Sequence, residues 1–192
     1  MFKLLVFLLQ VQRKIDNEEE LLNDLRVRHP NYAFRGVQID AFDMRDQLRL
    51  VNEADILIGM HGAGLSHTLF VPPHGGMIEL VPKYYGSDNN HFVDLARRRG
   101  LALARWINVN SANEMSNYRT RIPVDAMDGL LKQVVTQMCT DSQQTRLDKS
   151  HMPGQLNFQK GNAHVKGKRM EVAVRRWDAR PVESGRFRPR RL

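Results

Sequence analysis

The sequence has little with which to lock itself covalently or to anchor itself in a bilayer. Cys139 is the one cysteine among 192 residues, so no disulfide can close within the chain. That fits a reducing compartment without excluding a lumenal protein or a piece of one, and Cys139 itself reads as a small apolar residue at a helix end. The apolar run Leu4–Leu9 near the start is far too short to span a bilayer. Gln10-Val-Gln-Arg-Lys14 follows it rather than a small-residue cleavage site, so it reads as a buried strand. No transmembrane segment is expected. Gly-Lys-Ser/Thr and G-x-G-x-x-G loops are both missing. The first 140 residues contain no Asp-x-Asp pair, which leaves no anchor for a divalent metal, so no cofactor is firmly indicated and a divalent metal stays an alternative without support in the sequence. His61, His67 and His74 are spaced by six and seven across a turn and two prolines, which is not a zinc pattern.

Charge of one sign is also lacking where it would matter. The net charge is +8, but residues 141–192 hold 13 Lys/Arg against 5 Asp/Glu, while the first 140 hold 16 of each sign. The basic excess is confined to a tail whose Lys166-Gly-Lys-Arg169, Arg175-Arg176 and Arg186-Phe-Arg-Pro-Arg-Arg191 would attract polyanions by counterion release. Arg97 to Arg99 close a helix, where cations are favourable anyway, and Trp106 alone makes no stacking platform. No specific nucleic-acid partner is expected.

What remains is an alternation of strands and helices. Expected strands run about 3–10, 37–39, 55–58, 77–81 and 101–107. Asn17 with Glu20 has the form of a capping box for a helix burying Leu21, Leu22 and Leu25. Asp43 caps a second helix carrying Met44, Leu48 and Val51 inward. A third runs about 90–99 and stops at Gly100. Pro123 and Asp125 open a fourth, with Met127, Leu130, Leu131, Val134, Val135 and Met138 on one face. This order predicts an α/β fold, a doubly wound Rossmann-like layer with a parallel sheet, occupying residues 1–139. From Thr140 the periodicity fades, and residues 140–192 are expected to form a disordered basic tail.

The stretch Asp55-Ile-Leu-Ile-Gly-Met-His-Gly-Ala-Gly-Leu-Ser-His-Thr-Leu-Phe70 is the organising element. It predicts a strand, a glycine turn in which Gly62 and Gly64 permit positive φ and close backbone approach, and the first turn of a helix. Such a turn bares backbone N–H groups to phosphate oxygens. His61 is expected at its mouth, within hydrogen-bonding reach of a diphosphate or a sugar hydroxyl. A turn of this kind also joins strand to helix in proteins that bind nothing there. Glu79 is the single acid in an apolar strand, and buried carboxylates need partners. It is an acceptor for ribose hydroxyls, or it points out of an edge strand, or it pairs with a nearby arginine. Asp46 or Gln47 is placed to brace the turn, and Arg13 ends the first loop, where a cation meets a diphosphate.

The run from Asp46-Gln-Leu-Arg49 through Asp55–His67, Phe70 and Ile78-Glu-Leu80 resembles the signature of glycosyltransferase family 61. Asp94-Leu-Ala-Arg97, Arg99-Gly100 and Trp106 extend the resemblance, which covers about residues 10–138. The family usually carries a further basic residue where this chain has Leu8-Leu9-Gln10. The resemblance implies the C-terminal, donor-binding half of a GT-B glycosyltransferase. Its activity would be inverting transfer of a sugar, N-acetylglucosamine from UDP-GlcNAc first among them, to Ser or Thr of EGF-like domains in lumenal proteins. Protein O-mannose and xylosyl-type transferases of the same family, an inactive nucleotide-binding fragment, and a polyanion binder acting through the tail are the alternatives. The expected donor-site residues are Gly59, His61, Gly62, Ala63, Gly64, Leu65, Glu79 and Arg13. The resemblance implies that acceptor contacts and the base lie in an N-terminal half missing here, and no catalytic residue is identified. It implies the endoplasmic reticulum lumen, with the Golgi second, and a targeting signal upstream.

Overall fold

The computed structural model describes residues 4–9, 12–86 and 88–150. Its strands are β1 (Leu4–Leu9), β2 (Lys14–Ile15), β3 (Ala33–Gln38), β4 (Ile56–Met60), β5 (Gly76–Val81), β6 (Ala102–Ile107), β7 (Glu114–Met115) and β8 (Arg119–Thr120). Five of them form an all-parallel sheet in the order β3-β1-β4-β5-β6. Parallel neighbours need crossovers. Helices α1 (Glu18–Arg28), α2 (Met44–Asn52) and α3 (His91–Arg98) supply three of these, the 3-10 helix Ala63–Phe70 supplies the one from β4 to β5, and α4 (Val124–Ser150) follows the last strand.

Strands β4 and β5 are buried along their whole length, and the period of two distributes their side chains between two cores. Ile56, Ile58, Met60, Ile78 and Leu80 join Leu21, Leu22 and Leu25 of α1 and Met127, Leu131, Val134 and Met138 of α4 on one face. Leu57 and Met77 join Val51 of α2, Ala96 of α3 and Leu65 on the other. Each fully buried Leu, Ile or Met contributes roughly 1.5–3 kcal/mol, so helices are held on both faces. The layer is doubly wound, as the sequence predicts.

Gly100 has φ 65°, and Leu101 N–H bonds Ala96 C=O at 3.0 Å. This is the glycine C-cap expected for α3. Asp43 accepts from Asp46 N–H at 2.9 Å and caps α2.

Several expectations are corrected. Asn17 makes no side-chain cap. Its carboxamide instead grips the backbone of Ile122, donating to the carbonyl at 3.0 Å and accepting from the N–H at 2.9 Å. The amide bonds of a buried backbone segment outweighed a local cap. Met44 is 62% exposed; it sits on the first turn of α2, while Val51 turns inward as expected and Leu50 joins it. β3 begins at Ala33, before the expected Val37. After the glycine turn the chain forms a 3-10 helix, Ala63–Phe70, not an α-helix. Gly62 is extended, with φ 160° and ψ 176°, and Gly64 lies within that helix. Among the described glycines the left-handed backbone occurs at Gly86 and Gly100 instead. A second sheet, β2-β8-β7, was not foreseen. Helix α4 runs on to Ser150, past the expected start of the tail at 140. Residues 151–192, with the basic clusters from Lys166 onward, lie outside the described residues. No described helix is long and apolar enough to cross a membrane.

Candidate functional site: the carboxyl edge at the switch point

From β1 the sheet grows one way to β3 and the other way through β4, β5 and β6. The order therefore reverses between β1 and β4, the position where doubly wound sheets leave a crevice at their carboxyl ends. Arg13 follows β1 and His61 follows β4, and Arg13 Nη1 donates to the His61 carbonyl. One cation thus bridges the two sides of the crevice.

Beneath this bridge runs a line of buried polar groups. Gly59, Glu79 and Arg105 are register neighbours across β4, β5 and β6. They share the face that carries Leu57 and Met77. Glu79 is fully buried. Its Oε1 accepts from His61 Nδ1 at 2.5 Å, and Arg105 Nε lies 2.9 Å from Oε2. Arg105 also donates to the Asn90 side chain at 2.9 Å and to the Asn89 carbonyl at 2.6 Å. Because the carboxylate accepts at Nδ1, Nε2 is the ring nitrogen left for other bonding. Rings of Tyr85 at 4.2 Å and Phe92 at 5.1 Å cover the imidazole.

Two sequence expectations change here. His61 is 2% exposed, so it forms the wall beneath the turn and not its mouth. Glu79 is fully buried, with Oε1 bonded to His61 and Oε2 in ion-pair contact with Arg105, so its carboxylate presents no surface to ribose hydroxyls. The arginine-partner reading of Glu79 is the one the geometry matches, and Arg105 is that partner. Sequence reasoning alone did not single out Arg105, because a cross-strand neighbour is visible only once strand order is known.

The surface above is made by other residues. Ala63 is exposed and Gly64 half-buried, while Gly62 and Leu65 are buried. The first i→i+3 bond of the 3-10 helix runs from Leu65 N–H to Gly62 C=O at 2.9 Å, so the N–H groups ahead of it have no partner within that helix. His67 holds the turn from behind, bonding Gly64 C=O at 2.9 Å and Gln47 at 3.0 Å. Gln47 in turn donates to Phe42 C=O. The bracing foreseen for Asp46 or Gln47 is thus made by Gln47. His74 is exposed. Among the described residues no three His, Cys, Asp or Glu side chains come together to hold a metal ion.

Residues 7–78 match the family model described as Glycosyltransferase 61. Over those residues the chain resembles glycosyltransferase family 61. The matched segment runs from β1 through the glycine turn and ends one residue before Glu79. The EGF domain-specific O-linked N-acetylglucosamine transferase of Mus musculus is 41% identical over 100 residues, which is 49% of this chain and 18% of that protein. The protein of that name from Drosophila melanogaster is 40% identical over 94 residues, 49% of this chain and 17% of its own length. In Gallus gallus the figures are 38% over 100 residues, 49% and 17%. The chain therefore spans less than a fifth of the relatives it matches.

Proposed function

We propose that this chain supplies the donor-binding layer of an inverting glycosyltransferase of GT-B type, using UDP-GlcNAc to modify Ser or Thr of EGF-like domains in the endoplasmic reticulum lumen. The observation that carries the donor reading is a segment similar to family 61 that contains a braced glycine turn beside Arg13, at the carboxyl edge of the switch point. The acceptor and the compartment rest on the likeness to the named transferases.

In this reading the diphosphate lies over Ala63 and Gly64. Backbone N–H groups of the turn and the remaining guanidinium donors of Arg13 meet its oxygens. Arg has five donors, and one is taken by the His61 carbonyl. As the glycosidic bond to the diphosphate breaks, negative charge grows on the departing phosphate. Donors already fixed in place stabilise it without reorganising. His61 and Glu79 act from beneath as positioning residues: they hold the turn, and Arg105 keeps Glu79 paired. The acceptor hydroxyl attacks from the opposite side of the sugar after losing its proton to a base.

Calorimetric titration of the 192-residue chain with UDP and UDP-GlcNAc tests this. Binding in the parent that falls at least fivefold in Arg13→Ala, and falls also in His61→Ala, is the expected result. A folded parent chain that binds neither nucleotide refutes the donor reading.

A further inference from the structure

The 3-10 turn Lys83–Tyr85 follows β5 and starts from Pro82. The first N–H groups of a helical turn have no partner inside it, and Pro82 makes no side-chain cap. The acceptor comes from 31 residues further along the chain: Glu114 Oε1, on β7, takes the Lys83 N–H at 2.7 Å. Lys83 Nζ adds a second tie to the same region, donating to the Ser111 hydroxyl at 2.6 Å.

Glu114 is itself held firmly. Oε1 also accepts from the amide of buried Asn108 at 2.5 Å, and Oε2 from the hydroxyl of buried Thr120 at 2.9 Å. Asn108 in turn accepts from Asn110 N–H and from the Asn113 amide, both at 3.1 Å, so the loop after β6 folds around this carboxylate. Thr120 lies on β8, which pairs with β2, and Lys14 N–H bonds Tyr118 C=O at 3.2 Å. Glu114 therefore joins the turn after β5 to the hairpin that also holds the segment next to Arg13.

What the turn carries is Tyr85. Arg13 lies 4.7 Å over its ring, with the His61 ring 4.2 Å away, and Arg13 Nη1 donates to the His61 carbonyl. The guanidinium is thus fixed at two points, a carbonyl and an aromatic face, and that face stands where the turn puts it. An arginine held in this way has already given up the rotamer freedom that binding an anion would otherwise cost it. Burial holds the Tyr84 phenol above its ordinary value, while Arg13 pulls it down and Glu114 pushes it up, so both charges act on one neighbourhood. Like charges repel, so a carboxylate this near an anion site helps only through what it holds in place.

We propose that Glu114 is a positioning residue for the donor diphosphate: it clamps the turn Lys83–Tyr85 so that Tyr85 presents the Arg13 guanidinium to the phosphate oxygens. The proposal rests on the donor reading above and extends it to a side chain that touches no ligand. Glu114, Lys83 and Tyr85 all lie beyond residues 7–78, the segment matched to the family model.

A double-variant cycle on the 192-residue chain, titrated with UDP by calorimetry and checked for folding by circular dichroism, tests this. Glu114→Ala is expected to weaken UDP about 3–10-fold, the ordering cost of one rotamer-rich side chain, and to add nothing once Arg13→Ala is in place. Glu114→Gln is expected to stay within about twofold of the parent. Its carbonyl still accepts from Lys83 and Asn108, and its amide donates to the Thr120 hydroxyl. A merely structural role gives a different result, a loss of the same size with or without Arg13. That result, a loss in Glu114→Gln as large as in Glu114→Ala, or unchanged affinity in Glu114→Ala refutes the positioning role; the donor reading stands if Arg13→Ala still weakens UDP. Tyr85→Leu leaves the Glu114 bonds in place and removes the ring under Arg13. Its loss is expected to vanish likewise in the Arg13→Ala background, and unchanged affinity there overturns the proposal even where Glu114→Ala does not fold. No binding of UDP by the folded parent refutes both readings.

Discussion

Replacing Glu79 by Gln removes a charge from the centre of the sheet while keeping its volume. The carboxylate is fully buried and stands between His61 and Arg105. A glutamine carbonyl still accepts from His61 Nδ1, so the main loss is the counter-charge of Arg105. Removing one partner of a buried ion pair costs roughly 3–5 kcal/mol. Arg105 is 15% exposed and keeps its bonds to Asn89 and Asn90, which places the expected loss near the lower end, about 3 kcal/mol. For a layer of this size each kcal/mol moves the midpoint by roughly 2–4 °C, so Tm falls by about 6–12 °C. Urea unfolding of the parent, Glu79→Gln, Arg105→Met and the double variant measures this directly. A double variant that recovers at least ~1 kcal/mol relative to the sum of the singles identifies the pair as coupled. A loss under ~0.5 kcal/mol in Glu79→Gln, or strict additivity, refutes the reasoning.

Asn17→Ala deletes both amide bonds to Ile122 at a buried site and is expected to cost about 2 kcal/mol or more, since it strands a buried N–H and C=O; denaturant midpoints check it. Gly76→Ala would drive a methyl into Val134 of α4, so overpacking is expected to cost roughly 1–3 kcal/mol, visible as a lower Tm. Asp128 is held below the usual carboxylate value first by its bond to Lys132, then by His29. A depressed folded pKa gives stability that is present above the unfolded value of 3.8 and lost as pH falls through the folded one. Asp128→Asn is therefore expected to flatten the acid limb of stability below about pH 4, measured by thermal unfolding from pH 2 to 6.

The central strands were legible in the sequence because burial on both faces leaves unbroken apolar runs, as in Ile56–Ile58 and Met77–Ile78. Helix α4 was legible for a different reason: its six apolar positions keep helical spacing, and five of them are buried. The second sheet was not. Two-residue strands such as Lys14–Ile15 and Arg119–Thr120 are too short to show alternation, and they exist through pairing across more than a hundred residues. The glycine turn was visible as a motif, but which of its residues face outward depends on neighbours. His61 vanishes under Tyr85 and Phe92, which no spacing in Gly59–Leu65 announces. Tyr84 carried no signal because its ring partner, Tyr118, sits in what reads as a polar loop.

The clasp of Asn17 onto Ile122 has a consequence for how the chain is made. At a synthesis rate of about 5–20 residues per second, roughly 5–20 s separate the emergence of the two partners. Throughout that interval Leu21, Leu22 and Leu25 of α1 have no α4 to cover them, and β2 has no β8. Strands β1, β3 and β4 can pair early, but the nascent layer carries an open apolar face until Met127–Met138 arrive to seal it. Chaperones that meet the nascent chain would find their target on that face, and a chain halted between residues 108 and 123 would be the form most prone to aggregate.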